Sequence, residues 1–359
     1  MTSRLDDEKI VAKLDPGHAL EAVAQLGEQV ASAWRDFKKV SVPKSYRQIN
    51  KIVLNGMGGS QLGAHLLSSV YFKELQKPFV IVNSYELPGY IDNKTLYIVS
   101  SYSGNTEEPL ATIAEARRRG AKIFGIAAGG KLGQLITSGK IPGFVFDPVA
   151  NPSGQPRLGL GYSLTAQLAL FNKLGLLRIT DFDIKQQLAL LKKCNQRFGF
   201  SVTQSKNPAK KMALALAGNA AVIVASEHLV GTAHIFANQT NETGKTFSTY
   251  YAIPELNHHL LESLKNPKTN RTSLLFMFFE SKLYYPKNQL RFSVTKQVVR
   301  KNAIKQLSYT VTAQDRLGQA LEILSLGSYA TFYLALLNNI NPNLIPWVDY
   351  FKRQLDRQR

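Results

Sequence analysis

The feature that most restricts this chain is an apolar run that ends in a glycine turn and restarts as a helix. Lys51-Ile52-Val53-Leu54-Asn55 leads into Gly56-Met57-Gly58-Gly59-Ser60, after which Leu62, Leu66, Leu67 and Val70 recur at helical spacing. The unit then repeats. Phe79-Val80-Ile81-Val82-Asn83 reads as a second strand and Thr95-Leu96-Tyr97-Ile98-Val99-Ser100 as a third. The polar loop from Ser101 to Glu108 opens a helix carrying Ala111, Ile113, Ala114 and Ala116. Lys122–Ala127 and Gly143–Phe146 complete the set, and an amphipathic helix over residues 18 to 37, with Ala19, Val23, Leu26, Val30 and Trp34 on one face, precedes it. Strands that are apolar on both faces must be covered on both faces, so their alternation with helices predicts a parallel sheet between helical layers.

The second half repeats the theme. A helical stretch over residues 185 to 211, ending in Gln204-Ser205-Lys206-Asn207-Pro208, precedes a strand at Ala220–Ala225. Further β-rich runs lie at Ser273–Phe278 and Gln306–Val311, a long apolar helix at Gly318–Leu337 and a last helix near Val348–Leu355. With 359 residues, about twice a usual domain, the reading is an α/β protein of two domains, residues 1–180 and 181–359, each a mainly parallel sheet flanked by helices in three layers.

Lys and Arg number 44 against 25 Asp and Glu, a formal charge of +19 that raises nucleic acid, anionic lipid or an anionic substrate as partner without choosing among them. A composition of 44% hydrophobic and 19% charged residues excludes disorder, collagen and coiled coil. Cys194 is the only cysteine, which rules out an intrachain disulfide or a cysteine metal cluster and points to a reducing, cytoplasmic setting. Residues 1 to 9 are acidic and lack an apolar run, unlike a secretory or transit segment. The apolar stretch Met212–Ala225 is broken by Gly218 and Asn219 and is shorter than a bilayer span, so no membrane partner is expected. The basic doublets Lys192-Lys193, Lys210-Lys211 and Arg300-Lys301 are scattered and no nucleic-acid motif accompanies them, so no nucleic-acid partner is expected either.

Three glycine-rich segments compete as phosphate cradles. Gly56 and Gly58 begin a dinucleotide motif, but Gln61 breaks it and no acid ends the next strand, so a nicotinamide cofactor is disfavoured. Gly125-Ile126-Ala127-Ala128-Gly129-Gly130-Lys131-Leu132 has Leu132 where a magnesium-holding hydroxyl belongs, and Gly244-Lys245-Thr246 has Gln239 in place of the first glycine. There remain Gly59-Ser60 and the loop bearing Ser101, Tyr102, Ser103 and Thr106, both at strand-to-helix junctions. Helix N-terminal N–H groups with adjacent hydroxyls suit a phosphate monoester, although a lone Ser or Thr at such a place is more often a plain cap.

Gly56-Met57-Gly58-Gly59-Ser60 and Ser101-Tyr102-Ser103-Gly104-Asn105-Thr106-Glu107-Glu108 resemble the signature loops of sugar isomerase (SIS) domains. Gln155-Pro156-Arg157-Leu158-Gly159-Leu160-Gly161-Tyr162, Asn241-Glu242-Thr243-Gly244-Lys245 and Pro254-Glu255-Leu256-Asn257-His258 resemble, in order, three segments of the bifunctional phosphoglucose/phosphomannose isomerases. The resemblance implies two SIS domains, a phosphohexose substrate held by Gly59, Ser60, Ser101, Ser103 and Thr106, and an aldose–ketose isomerisation through an enediol. A non-catalytic phosphosugar sensor is the alternative, although residues 1 to 45 are too short for the DNA-binding domain such regulators append.

On this resemblance Glu242 is the base that serves C1 and C2, and Arg157 stabilises the enediolate beside it. His258 opens the sugar ring, reaching the site from the partner subunit of a homodimer, and Lys352 assists. Spacing does not separate His258 from His259; His258 keeps the family register. The six histidines show no HExxH or HxH spacing, so neither a metal nor any other cofactor is expected, unlike the zinc-dependent mannose-phosphate isomerases. Departures from the family pattern are Leu260, where an acid usually flanks the histidine, Ser328 for an Asp, and Asn341-Pro342-Asn343 for Asp-Pro-Thr.

Overall fold

A computed structural model describes residues 4–357; Met1, Thr2 and Ser3 of the N-terminal segment lie outside the described residues. Three helices, α1 (Glu8–Leu14), α2 (Ala19–Ala24) and α3 (Leu26–Phe37), lead to β1 (Lys51–Asn55), α4 (Gly59–Val70), β2 (Phe79–Val82) and β3 (Thr95–Ser100). Short α5 (Glu107–Ala111) and α6 (Ile113–Arg118) precede β4 (Lys122–Ala127), α7 (Gly130–Thr137), β5 (Gly143–Val145) and α8 (Leu160–Lys173). The amphipathic segment predicted over 18 to 37 is two helices that meet at Gln25, and its longer part turns Leu26, Val30, Ala33, Trp34 and Phe37 inward at helical spacing.

The second half runs α9 (Asp181–Phe198), α10 (Pro208–Leu216), β6 (Ala220–Ser226), α11 (Val230–Glu242), β7 (Ser248–Ile253), α12 (Asn270–Ser273), β8 (Leu274–Glu280), α13 (Pro286–Lys301), β9 (Lys305–Thr310), α14 (Arg316–Leu337) and α15 (Pro346–Asp356). The stretch predicted over 185 to 211 divides because Asn207 accepts from the Ala209 and Lys210 amides and Pro208 opens a new helix, a start signal inside what composition alone reads as one element. β7 and α13 went unpredicted. β7 is a half-buried edge strand of sequence Ser-Thr-Tyr-Tyr-Ala-Ile, and α13 carries no strong apolar stripe.

Both sheets are wholly parallel, in the orders β2-β1-β3-β4-β5 and β7-β6-β8-β9. In each, the first strand in sequence has neighbours on both sides, so strand order reverses there and a crevice opens at the carboxyl ends, the usual ligand position in such sheets. The fold is α/β, two parallel sheets flanked by helices. One continuous core joins them through α4 against α11, α3 against α9 and α14 against α2. α14 is long and apolar enough by composition to cross a membrane, but 94% of that stretch is buried inside the protein.

Candidate active site

The two hydroxyl-bearing loops leave the adjacent strands β1 and β3. Gly58 turns the chain with φ of +48°, a conformation that favours glycine, and α4 begins at once. The Ser60 hydroxyl accepts from the Tyr102 amide at 2.8 Å, and the Ser100 hydroxyl donates to the Ser60 carbonyl at 2.7 Å, which ties one loop to the other. Ser101 and Thr106 bond through their hydroxyls at 2.7 Å, while Ser103 stays exposed. Thus the loops that carry Gly59, Ser60, Ser101, Ser103 and Thr106, the residues expected to hold phosphate, lie side by side and are tied together. Tyr102 is not among those residues: its ring is buried and its hydroxyl accepts from Asn151 at 2.7 Å.

The near-match to a nucleotide loop braces the second of these loops from behind. The Leu132 amide donates to the Gly104 carbonyl at 2.9 Å and the Lys131 amide to Asn105 Oδ1 at 3.0 Å. The N-terminal donors of α7 are therefore spent on the neighbouring loop.

Gly59 lies directly on the next segment of the site. A Cβ there would sit 2.8 Å from the Pro156 carbonyl carbon and 3.0 Å from the Arg157 nitrogen, so only glycine lets the two backbones meet. The Arg157 side chain is 2% exposed and fully engaged. Nε donates to Thr243 Oγ1 at 3.0 Å, Nη1 to Gln155 Oε1 at 2.7 Å, and Nη2 to the Pro342 and Asn343 carbonyls at 2.8 and 3.1 Å. Nη1 also lies 3.5 Å from Glu242 Oε2. Burial pulls the guanidinium pKa down and the Glu242 charge pulls it back up. Because Asn343 acts through its backbone oxygen, its departure from the Thr of the Asp-Pro-Thr pattern leaves this bond intact. The Asn343 side chain turns instead to Asp15, at 3.2 Å.

Glu242 ends α11, the helix that brings the second half of the chain against the first. Gln239, one turn earlier, donates to the Arg157 carbonyl and shares a hydrogen bond with Ser328, both at 3.0 Å, so Ser328 keeps a polar place in the core. Lys245 sits just beyond the helix with φ of +52° and donates from Nζ to the Glu242 carbonyl. Burial first, then the Arg157 charge, lowers its pKa to about 8 against the opposing pull of Glu242. Gln155, Gln239, Thr243 and Lys245 were not named as site residues from sequence, although each lies in or beside a quoted motif.

Among the described residues no hydrogen bond or ion pair links the His258 or Lys352 side chain to this cluster within one chain. Asn241, beside Glu242, exchanges hydrogen bonds with Ser248 at the start of β7, both at 2.9 Å, whereas His258 follows the far end of that strand. Six residues of extended chain put roughly 17 Å between those ends. Among the described residues the His258 side chain makes no hydrogen bond or ion pair and is exposed, while His259 pairs with Glu255 at 2.9 Å. Lys352 lies exposed on α15 without an acidic partner among the described residues, which also hold no cluster of three metal-binding side chains.

Residues 205–355 match the family model described as bacterial phospho-glucose isomerase C-terminal SIS domain, and residues 45–133 match that of the SIS domain. The chain is 32% identical over 342 residues to a bifunctional phosphoglucose/phosphomannose isomerase of Caldicellulosiruptor bescii, covering 93% of this chain and 98% of that protein. It is 28% identical over 323 residues to the enzyme of the same name from Thermoplasma volcanium, covering 88% and 96%. In fold it is similar to the crystal structure of a hypothetical protein from Thermus thermophilus, with a TM-score of 0.73 at 17% identity over 98% of this chain and 92% of that one.

Proposed function

The chain belongs to the family of bifunctional phosphoglucose/phosphomannose isomerases, and we propose how its residues interconvert glucose 6-phosphate and mannose 6-phosphate with fructose 6-phosphate. The observation that supports these roles is that Arg157 meets Gly59 through its backbone and Glu242 through its side chain, so that the loop read as the phosphate cradle and the carboxylate read as the base flank one buried arginine.

The phosphate sits on the α4 N-terminus and the hydroxyls of Ser60, Ser101, Ser103 and Thr106. Glu242 takes the proton from C2 of the open-chain aldose as a hydrogen moves from the C2 oxygen to the C1 oxygen, and returns it to C1 of the enediol. Arg157, fixed by four other acceptors, keeps its charge beside the developing enediolate without reorganising. Glucose and mannose 6-phosphates differ only at C2 and share this enediol, so a single base serves both. These transfers need no metal and no cofactor.

Ring opening falls to His258 of a second copy, assisted by Lys352. The opposite placement of Glu242 and His258 about β7, and the absence of any partner for His258 among the described residues, support a homodimer with shared sites. The division at residue 180 and cytoplasmic residence, to which the unpaired and buried Cys194 lends support, belong to the same reading. The test is a coupled assay starting from fructose 6-phosphate that reports glucose 6-phosphate and mannose 6-phosphate separately. Turnover to both is expected, and a protein that makes neither product while binding the substrate tightly is a sensor instead.

A further inference from the structure

No described side chain of the last helix is buried. Along α15, Trp347, Tyr350, Phe351 and Leu355 fall at helical spacing on one face with Val348 at its edge, and Asp349, Lys352 and Arg353 occupy the other. Every one of those side chains is in water: Trp347 is 81% exposed, Phe351 60% and Tyr350 52%. An aromatic side chain carries about 200 Å² of surface, so these three alone leave on the order of 400 Å² uncovered on one rod of chain. A single isolated apolar side chain needs no explanation, but an apolar stripe along a whole helix is an interface.

The protein also presents a groove whose walls are partly apolar and partly charged, the charges coming from Lys73, Lys77, Glu227 and Arg316. A cavity of about 890 Å³ opens where the carboxyl ends of β6 and β7 meet the far end of α4; Phe72, Leu75, Ile253, Pro254 and Tyr285 are among its walls. Phe72 is 80% exposed beside it. The α15 of the same chain does not occupy this groove.

We infer that the apolar face of α15 docks into this groove on a second copy of the chain, each copy giving its helix to the other. The inference rests on the shared-site reading above, and the two geometries agree. α15 starts three residues after Asn343, whose carbonyl holds Arg157, which in turn touches Glu242. Pro254 lines the groove four residues before His258. Bringing His258 of one copy to Glu242 of the other therefore brings the groove to the root of the other's α15, a helix about 16 Å long. The areas agree as well. Two such helices and the surfaces that cover them bury roughly 1,500 Å², within the range of a stable specific interface. Exchange of the helices makes the contact two-fold and closed, so it ends at the dimer.

Two measurements decide it. Co-expressed chains carrying Trp347→Cys and Phe72→Cys are treated with a short bis-maleimide; Cys194 is buried and both new thiols replace exposed side chains. A cross-linked heterodimer is expected, and its absence in a protein that sediments as a dimer overturns the docking. Separately, Trp347→Ser with Phe351→Ser is expected to weaken dimerisation at least about 100-fold at unchanged circular dichroism; an unchanged dimer constant overturns the inference. Mixed dimers of Glu242→Gln and His258→Ala chains test the shared site independently, so a regain of activity there without cross-linking refutes the helix exchange alone, and no regain refutes the shared site itself.

Discussion

Arg157 Nη1 lies 3.5 Å from Glu242 Oε2, and every other nitrogen of that guanidinium is held by an oxygen of the surrounding backbone or side chains. The carboxylate therefore faces a charge that cannot swing away, while its own side chain stays 36% exposed and open to substrate. Replacing Glu242 by Gln keeps the shape and the arginine contact and removes the base. Turnover should fall about a thousand-fold with little change in KM, as steady-state kinetics on both aldose substrates would report. Full turnover in that variant would remove Glu242 from the role.

Gly59→Ala tests whether cradle and arginine work as one unit. The new Cβ would press on the Pro156 and Arg157 backbone, which cannot yield as a flexible side-chain tip would. Displacing the phosphate by even about 1 Å should cost on the order of 100-fold in kcat/KM. Gly89, whose Cβ would meet open space, serves as the neutral control.

Mixing inactive chains tests the shared site in quantity. If each site takes Glu242 from one copy and His258 from the other, chains of Glu242→Gln and His258→Ala randomly paired after co-expression should regain about a quarter of wild-type activity, since half of the dimers are mixed and each mixed dimer holds one intact site. Activity no higher than that of either parent alone would show that one chain supplies both groups.

Lys245 sets an alkaline limit. Its pKa near 8 means that the cation beside Arg157 and Glu242 is lost as pH rises through about 8, and with it part of the field that stabilises the enediolate. The kcat/KM profile should fall above that pH, and Lys245→Met should lower the plateau and abolish that limb. For stability the sign is the reverse. The folded state releases this proton more readily than the unfolded chain does, so between about 8 and 10.4 the unfolded state binds more protons and Lys245 makes the fold more stable as pH rises.

His65 on α4 and His234 on α11 meet edge to face with ring centroids 4.5 Å apart, at the contact between the two halves. Burial, reinforced by His234, holds the His65 pKa down to about 4. Between about 6.5 and 4 the unfolded chain binds the proton and the folded protein does not, so stability is lost as pH falls through that window, by about 3 kcal/mol at its foot. Thermal melts across that range should show the loss, and His65→Gln should flatten it.

The strand, turn and helix units were legible in the sequence because each is a local matter. An apolar run at every position needs cover on both faces, Gly58 permits a turn that other residues resist, and the helical spacing of Leu62, Leu66, Leu67 and Val70 states its own periodicity. The two hydroxyl-bearing loops were legible for the same reason, since each is a short segment between a strand and a helix. Edge strand β7 and helix α13 were not, because half-buried elements carry weak alternation. Tertiary structure alone decided that Gly59 touches the Arg157 backbone, that Gln155 and Thr243 hold its side chain, and that His258 stands at the opposite end of β7 from Glu242. These relations depend on how α4 packs on α11 and on which strand edge each loop leaves, and spacing along a chain does not encode distance across a core. The stripe of α15 lies between the two cases: its period is written in residues 347 to 355, but only the fold shows that the described residues leave it exposed.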